Sequence, residues 1–367
     1  MYKIMIQVQC TNCRQVYPET GVAYCCPRCG GLFDFSEPLR YEPRRIEAGQ
    51  PGIWRYRHTF GFPEAYEPVS LGEGNTPLVW DQVFGTLVAF KCEYLNPSGS
   101  FKDRGSALIA GFLRGRGVQA ALEDSSGNAG ASLAAYAARA GIRLRVYIPD
   151  SAAGPKRAQI QAYGAEFVRI MGPRSNAAEA VRRAAESGEV YASHAYLPYN
   201  LPGYATLSYE LCEQLGRAPG SLIVPVGQGG LILGVYRGFQ ALQKASLVEH
   251  IPLLVGVQAR ACAPLWALTS YGQAGLAWVA EAQTLAEGIR VRHPLRGDAV
   301  IQAVSASQGM FVAVDEEDII AGQAELARRG FYVEPTSAVV WSGLAQTASK
   351  IPEPIAVVLT GSGLKTN

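Results

Sequence analysis

A lysine occupies an unusual place in this sequence, directly after the turn Asn96-Pro-Ser-Gly-Ser-Phe. Ser100 and Asp103 have the spacing of a capping box, which predicts a helix with Lys102 in its first turn. The positive end of the helix dipole disfavours the ammonium form of a lysine at that position. Lys102 is therefore a candidate for a neutral, nucleophilic amine that forms a covalent bond during catalysis.

A second turn, Asp124-Ser-Ser-Gly-Asn-Ala-Gly130, separates an apolar run from an alanine-rich stretch. Hydroxyls and exposed N–H groups at the start of a helix suit a carboxylate. An ordinary helix N-terminus is the alternative. We expect Asn128 to donate to a phenolate-like oxygen and the neighbouring residues to bind a substrate carboxylate, namely Ser125, Ser126, Gly127 and Ala129.

Two further turns follow predicted strands. The glycine cluster Gly227-Gln-Gly-Gly-Leu231 lets backbone N–H groups close around a phosphate, although it also fits a tight packing turn. It is not the dinucleotide fingerprint, because Ile232 stands where that motif needs its third glycine. The last turn begins at Thr360, where Thr360 or Ser362 is placed to set a neutral hydroxyl against a ring nitrogen.

Five of the eight cysteines fall within the first 29 residues. Two C-x2-C pairs offer the four thiolates that structural zinc takes, and they are formed by Cys10, Cys13, Cys26 and Cys29. Cys25 lacks the required spacing to Cys29. Four thiolates leave no open position, which argues against catalytic zinc, and an empty site is the alternative. Few basic residues and no aromatic platform surround the pairs, so we expect no nucleic-acid partner.

The 367 residues suffice for two larger domains and a small module. The net charge of +2 gives no strong attraction to nucleic acid or a membrane surface. No apolar run reaches the roughly 18 residues of a membrane span, and the N-terminus lacks the layout of a secretory signal. We therefore expect a cytoplasmic protein. From about Leu87 onward, apolar runs alternate with alanine-rich helical stretches, which predicts an α/β fold with parallel sheets.

Taken together, these segments resemble the fold-type II pyridoxal phosphate (PLP) enzymes, most closely the threonine synthase family. The lysine motif 96–105 carries most of the likeness, and Glu73–Leu78, Glu334–Ser337 and the last turn match further family segments. Some members also have an N-terminal zinc ribbon. The resemblance implies two three-layer α/β domains with parallel sheets plus that ribbon. We expect the ribbon at 1–37, a large PLP domain at 38–91 and 196–367, and a small domain at 92–195.

The resemblance also implies a role for each candidate residue. Lys102 would hold PLP as a Schiff base and move protons at Cα and Cβ of an amino-acid substrate. Asn128 would bind the 3′ oxygen of the cofactor, and Thr360, or else Ser362, would face its ring nitrogen. The cofactor phosphate would lie in the cradle formed by Gly227, Gln228, Gly229, Gly230 and Leu231. The implied reaction converts O-phosphohomoserine and water to threonine and phosphate, and we expect a homodimer.

Several positions depart from the family pattern. Asn200 stands where an arginine usually grips the substrate phosphate, and Ser362 stands where histidine is usual. The Gly-Gln-Gly-Gly loop is closer to cysteine synthases and dehydratases. Arg290, Arg292 and His293 are candidates for a substitute anion site, or else are solvated charges. The alternatives are therefore a β-replacement enzyme such as a cysteine or cysteate synthase, a threonine or serine dehydratase, and an inactive binding protein.

Overall fold

The computed structural model describes residues 7–63, 66–150 and 154–366. The described chain forms two compact units. Unit 1 runs to Glu73 and resumes over Lys102–Gly203, whereas unit 2 comprises Gly74–Phe101 and Tyr204–Thr366. The segment 38–73, which we expected in the large domain, therefore groups with unit 1. Among the described residues, no helix is long and apolar enough to cross a membrane.

The strands, in chain order, are β1 (Val8–Cys10), β2 (Phe33–Phe35), β3 (Leu78–Val83), β4 (Thr86–Lys91), β5 (Ala120–Glu123), β6 (Arg143–Pro149), β7 (Glu166–Ile170), β8 (Ser221–Pro225), β9 (Leu253–Ala259), β10 (Met310–Val314) and β11 (Ile355–Val358). The α-helices are α1 (Lys102–Gly115), α2 (Asn128–Ala140), α3 (Pro155–Ala162), α4 (Arg174–Glu186), α5 (Leu201–Leu215), α6 (Gly230–Lys244), α7 (Pro264–Tyr271), α8 (Gln273–Leu276), α9 (Gly297–Ala306), α10 (Glu316–Arg328) and α11 (Pro335–Thr347).

Unit 1 contains a parallel sheet in the order β5-β6-β7, with α1 and α2 packed on each other. The alanines of α2 allow this close packing, and the helix ends where Gly141 takes a left-handed conformation with φ 71°. Buried aliphatic residues of α1, α2 and the sheet share one core with residues of the cysteine module. That module contains the antiparallel pair β1–β2.

The start of α1 differs in one detail from the sequence-based expectation. The helix does begin at Lys102, but the buried Ser100 hydroxyl has no hydrogen-bond partner among the described residues. The Asp103 carboxylate instead accepts a hydrogen bond from the Ser132 hydroxyl of α2, at 2.6 Å. The Ser100 half of the predicted capping box is therefore wrong, because the Ser100 hydroxyl does not cap α1.

Unit 2 is built on a six-stranded sheet in the order β10-β9-β8-β11-β4-β3. All neighbours are parallel except β3, which pairs antiparallel with β4 at the edge. The buried strands β8, β9 and β11 carry continuous runs of apolar residues, as parallel strands covered on both faces do. Helix α11 packs against β8, β9 and β10. The expected α/β fold with parallel sheets is confirmed, with β3 and the cysteine module as antiparallel additions.

Candidate functional site

Two of the predicted site segments lie at one edge of the six-stranded sheet. Strands β8 and β11 are parallel neighbours, so their carboxyl ends lie at the same edge. The glycine loop 227–231 follows β8, and Thr360 follows β11. Loops beyond the carboxyl ends of parallel strands are where open α/β sheets bind ligands. The structure of unit 2 thus brings the predicted phosphate loop and the predicted ring-nitrogen residue to one edge.

The glycine loop has the shape of an anion cradle. Gly229 precedes α6 with φ 81°, and no side chain caps the helix. The N–H groups of the first helical turn therefore have no intrahelical acceptor and suit a phosphate. A Cβ at Gly229 would lie 2.4 Å from Cγ2 of Val300, and one at Gly227 would lie 2.9 Å from Cα of Ile289. Both positions require glycine, and the cradle fits the phosphate of PLP.

Thr360 is buried, and its hydroxyl has no hydrogen-bond partner among the described residues. Its backbone is fixed on both sides: its N–H donates to the Ser337 hydroxyl at 2.9 Å, and its carbonyl accepts the N–H of Phe101 at 3.0 Å. A buried, unpaired hydroxyl fits a pyridine nitrogen. Ser362 is the weaker candidate, because its hydroxyl accepts the N–H of Leu364 at 3.2 Å.

Ser337 is a site residue that the sequence reasoning did not assign. It lies in the first turn of α11 within the quoted segment Glu334–Ser337 and is fully buried. Thr336 holds a second loop, because its hydroxyl accepts the N–H of Gly288 at 3.0 Å. This segment therefore positions both Thr360 and the Glu287–Ile289 turn. The resemblance of this segment to the family pointed to its importance, but the spacing of its residues did not predict that it contacts Thr360 and Gly288.

In unit 1, the serine turn joins β5 to α2, as predicted. Asn128 is the first residue of α2, and Gly127 precedes it as the N-cap. A Cβ at Gly130 would lie 1.7 Å from the carbonyl oxygen of Ser125, so only glycine lets the turn close this tightly. No side chain caps α2, which leaves first-turn N–H groups for a carboxylate. Lys102 begins α1 in the same unit.

Two acidic residues and a histidine gather beside this turn. Glu123 is fully buried, and its Oε1 accepts the N–H of Ser125 at 3.1 Å and lies 3.5 Å from Nδ1 of His194. Asp124 accepts a hydrogen bond from the Tyr191 hydroxyl at 2.8 Å. The sequence reasoning missed this cluster. The adjacent acids Glu123 and Asp124 were its only signal, since His194 lies far along the chain from them.

Burial shifts the pKa values of the cluster in opposite directions. Loss of water raises the pKa of Glu123 to about 7, although backbone N–H groups and the charges of Lys102 and Arg174 oppose the rise. Loss of water, assisted by the charge of Lys102, lowers the pKa of His194 to about 3. His194 is therefore neutral near pH 7, while Glu123 changes charge in that range. The charge of Lys102 acts on both groups.

Asn200, at the position of the family arginine, is buried and holds the backbone of the same segment. Its Nδ2 donates to the carbonyl of His194 at 2.6 Å. An amide offers no charge to a phosphate. The other suggested anion site lies in unit 2, where Arg292 and His293 are exposed on the rim of an apolar pocket lined by residues such as Leu265 and Ile301.

The four predicted zinc ligands come together in unit 1. The sulfurs of Cys10, Cys13, Cys26 and Cys29 all lie within 4.8 Å of one another, with 3.5 Å between Cys10 and Cys29 and 3.6 Å between Cys13 and Cys26. Tetrahedral Zn–S bonds of about 2.3 Å place sulfurs about 3.8 Å apart. The cluster therefore fits structural zinc. A Cβ at Gly31 would lie 2.9 Å from the Cys10 sulfur, so this glycine leaves room for the thiolate.

Comparisons with known proteins agree with this geometry. Residues 69–361 match the family described as "Pyridoxal-phosphate dependent enzyme". The threonine synthase of Methanocaldococcus jannaschii is 31% identical over 97% of this chain and 92% of its own length. That of Mycobacterium tuberculosis is 34% identical over 86% of this chain and 89% of its own length.

Solved structures show the same fold. The T.th. threonine deaminase superimposes with a TM-score of 0.66 and 26% identity, covering 78% of this chain and 92% of its own. Maize serine racemase gives a TM-score of 0.67 at 23% identity, covering 78% and 89% of the two chains, which supports the fold alone. The glycine cradle, the buried Thr360 hydroxyl and these matches lead to one conclusion: the chain belongs to the pyridoxal-phosphate dependent enzyme family, with fold-type II architecture and PLP as its cofactor.

Proposed function

We propose that this chain is a threonine-synthase-like lyase that converts O-phosphohomoserine and water to threonine and phosphate. The observation that carries the cofactor assignment is the buried, unpartnered hydroxyl of Thr360, which among the described residues lies at the same sheet edge as the uncapped glycine loop. The substrate assignment is supported by the relatives named threonine synthase, which match this chain over most of its length.

PLP, when bound, withdraws electrons from the carbons next to the substrate's amino group. In our proposal Lys102 holds the cofactor covalently and afterwards moves protons at Cα and Cβ. Asn128 binds the 3′ oxygen, and the N–H groups of Gly227–Leu231 bind the phosphate. The neutral Thr360 hydroxyl leaves the ring nitrogen unprotonated, which favours elimination and replacement over transamination. The substrate carboxylate lies against the turn that contains Ser125, Ser126, Gly127 and Ala129.

One observation favours a second candidate function. Asn200 replaces the arginine that would grip the substrate phosphate, and its amide is already used to hold the His194 carbonyl. A leaving group without a phosphate, such as acetate or hydroxide at Cβ, needs no such grip. A β-replacement enzyme of the cysteine or cysteate synthase type, or a threonine or serine dehydratase, is therefore the alternative.

A parallel assay separates these candidates. The purified holoenzyme is offered O-phosphohomoserine, O-phosphoserine, O-acetylserine with sulfide, and threonine, and both released phosphate and amino-acid products are measured. Our proposal predicts equal amounts of phosphate and threonine from O-phosphohomoserine. Turnover restricted to serine derivatives, or conversion of threonine to a keto acid without any synthesis, would show that the alternative is correct.

The proposed partners follow from this chemistry. The substrate is a small amino acid, and the proposal includes neither nucleic acid nor a membrane. We further propose a homodimer located in the cytoplasm, as expected for a PLP enzyme of amino-acid biosynthesis.

A further inference from the structure

The cluster at the end of β5 contains the arrangement of an acid–base dyad. Glu123 and His194 face each other, with Oε1 and Nδ1 3.5 Å apart. The carboxylate side chain is fully buried, whereas the histidine side chain keeps 18% of its surface exposed. A buried carboxylate that faces Nδ1 sets the orientation of an imidazole and leaves Nε2 for another partner. The two atoms lie within ion-pair range but are not hydrogen-bonded, so Glu123 acts on the imidazole through its charge.

The position of the dyad relates it to the substrate. Glu123 is the last residue of β5, and its Oε1 accepts the N–H of Ser125, the first residue of the proposed carboxylate turn. His194 lies on the segment that holds Asn200, and the Asn200 amide fixes its backbone. The positive charge of Lys102 acts on both members of the dyad. Within unit 1, the dyad therefore lies among the groups assigned to the cofactor lysine, the substrate carboxylate and the leaving group.

Several polar atoms around the dyad lack partners. Oε2 of Glu123 and Oδ1 of Asn200 are each buried with no hydrogen-bond partner among the described residues, and Nδ1 of His194 has only its 3.5 Å charge contact with Oε1 of Glu123. A buried polar atom that is left unpaired lowers the stability of the fold. Buried polar atoms without a protein partner are commonly satisfied by ordered water, so these atoms are candidates to bind a water molecule.

We propose that His194, oriented by Glu123, is the base that activates water in the hydration half of the reaction. This inference rests on the proposed function. The water oxygen gives an electron pair to the unsaturated Cβ that remains after phosphate has left, and one of its O–H bonds breaks. The proton passes to Nε2 of His194, and the resulting positive charge faces the carboxylate of Glu123. The displaced π electron pair moves toward Cα, to which Lys102 returns a proton.

The charges around His194 set its resting state. Asp124 favours a positive imidazole, whereas Lys102 and Arg174 disfavour it. His194 therefore rests in the neutral form, and in the proposal it takes up the proton while the ionised carboxylate of Glu123 faces the new positive charge. In this scheme Lys102 transfers protons at the substrate carbons, whereas His194 takes the proton from the attacking water. Each proton transfer therefore has its own residue. Glu123 is the positioning residue, since it is fully buried and acts through the imidazole.

The test compares His194→Gln and Glu123→Gln with the exposed His250→Gln as a matched control, all as holoenzymes with O-phosphohomoserine. General acid–base catalysis contributes roughly 100-fold or more, so threonine formation should fall by at least that factor in His194→Gln. Phosphate release should fall much less. The unsaturated product should then lose ammonia to water and appear as a keto acid, so the ratio of threonine to phosphate drops below one.

A second readout does not depend on turnover. The chain has four histidines, so the imidazole ¹⁵N signals of His194 can be assigned by substitution. In the wild type these signals should show a neutral ring across the neutral pH range and a step near pH 7 that follows the ionisation of Glu123. Glu123→Gln should remove the step. Glu123→Gln should also remove the acidic limb near pH 7 from the rate profile of threonine formation.

The outcomes are distinguishable. If wild-type enzyme releases no phosphate from O-phosphohomoserine, the proposed function is wrong and the inference falls with it. If wild-type enzyme makes threonine but His194→Gln keeps the same ratio of threonine to phosphate, the inference alone is wrong. A His194 signal that ignores the Glu123→Gln substitution would likewise contradict the dyad, even if both variants fold poorly enough to lower the rates.

Discussion

The ring of Tyr24, in the cysteine module, meets the ring of Tyr196 edge-on with 5.2 Å between their centroids. It also lies 5.4 Å from the ring of Tyr191. Those two tyrosines flank His194 in the chain, and Tyr191 donates to Asp124. On the other side of the module, Tyr17 packs 5.4 Å from Tyr199, the neighbour of Asn200. The module therefore supports the segment that carries His194 and Asn200.

We expect Tyr24→Leu to reduce stability and to disturb substrate binding. An aromatic pair contributes about 0.5–1.5 kcal/mol beyond its buried area, so the free energy of unfolding should fall by about 1 kcal/mol. KM should rise while bound PLP stays unchanged. Tyr24→Phe is the control, because it keeps the ring. Equal KM values for the two variants would show that the module does not position this segment.

Zinc content should depend on Cys26 and not on its neighbour Cys25. Of these two neighbours, Cys26 belongs to the group of four sulfurs and Cys25 does not. Cys26→Ser should therefore lose the metal, whereas Cys25→Ser should keep about one zinc per chain. Because the module shares a hydrophobic core with α1 and α2, loss of zinc should also lower the melting temperature. Metal analysis together with calorimetry checks both expectations. Zinc retained in Cys26→Ser would refute the ligand assignment.

The dyad predicts an unusual effect of pH on stability. The folded-state pKa of Glu123 is raised to about 7, so its contribution to stability falls as pH rises from its ordinary value of 4.5 toward 7. The folded-state pKa of His194 is lowered to about 3, so its contribution falls as pH drops below the ordinary 6.5. Between about pH 4.5 and 6.5 these two effects of pH on the free energy of unfolding cancel. In that range the folded protein carries one proton fewer on the histidine and one more on the carboxyl than the unfolded protein.

Each single substitution should remove one of these two effects and leave the pH dependence that the other residue gives to the free energy of unfolding. In Glu123→Gln, the free energy of unfolding relative to wild type should fall as pH decreases below about 7, because the stabilising contribution of the Glu123 carboxyl is missing. In His194→Gln, the free energy of unfolding relative to wild type should rise as pH decreases below 6.5, because the destabilising protonation of the buried histidine is missing. Each slope is at most about 1.4 kcal/mol per pH unit, and denaturant unfolding at several pH values measures it. Parallel pH profiles for both variants and the wild type would refute the opposed shifts.

Gly229→Ala should weaken PLP binding more than it weakens the fold. The added Cβ meets Val300 at 2.4 Å, which displaces the loop whose N–H groups cradle the phosphate. Gly330→Ala is a matched control, since Gly330 has a similar φ of 87° but no atom within 4 Å of the added Cβ. Both variants carry the same backbone strain from a positive φ, but only Gly229→Ala adds the clash with Val300. Only Gly229→Ala should therefore raise the Kd for PLP, by roughly tenfold or more. Similar Kd values would contradict the cradle.

Much of this architecture follows from local sequence signals. Alternating apolar and alanine-rich runs predict β5, α2 and β8, and the spacing of two cysteine pairs predicts their convergence, because these signals depend on near neighbours. The Glu123–His194 pair could not be predicted in this way. Its members are distant in sequence, and only the return of the chain after α4 brings them together. The capping role of Ser100 could not be tested by spacing either, because its hydroxyl is buried without a hydrogen-bond partner among the described residues.

The central claim is that PLP is bound covalently at Lys102. Reduction of the holoenzyme with borohydride fixes the cofactor to its lysine, and peptide mass spectrometry then identifies the modified residue. Our account predicts a phosphopyridoxyl group on Lys102 alone, and loss of the yellow colour in Lys102→Ala. A label on another lysine, or a wild-type protein that stays colourless after incubation with PLP, would contradict it.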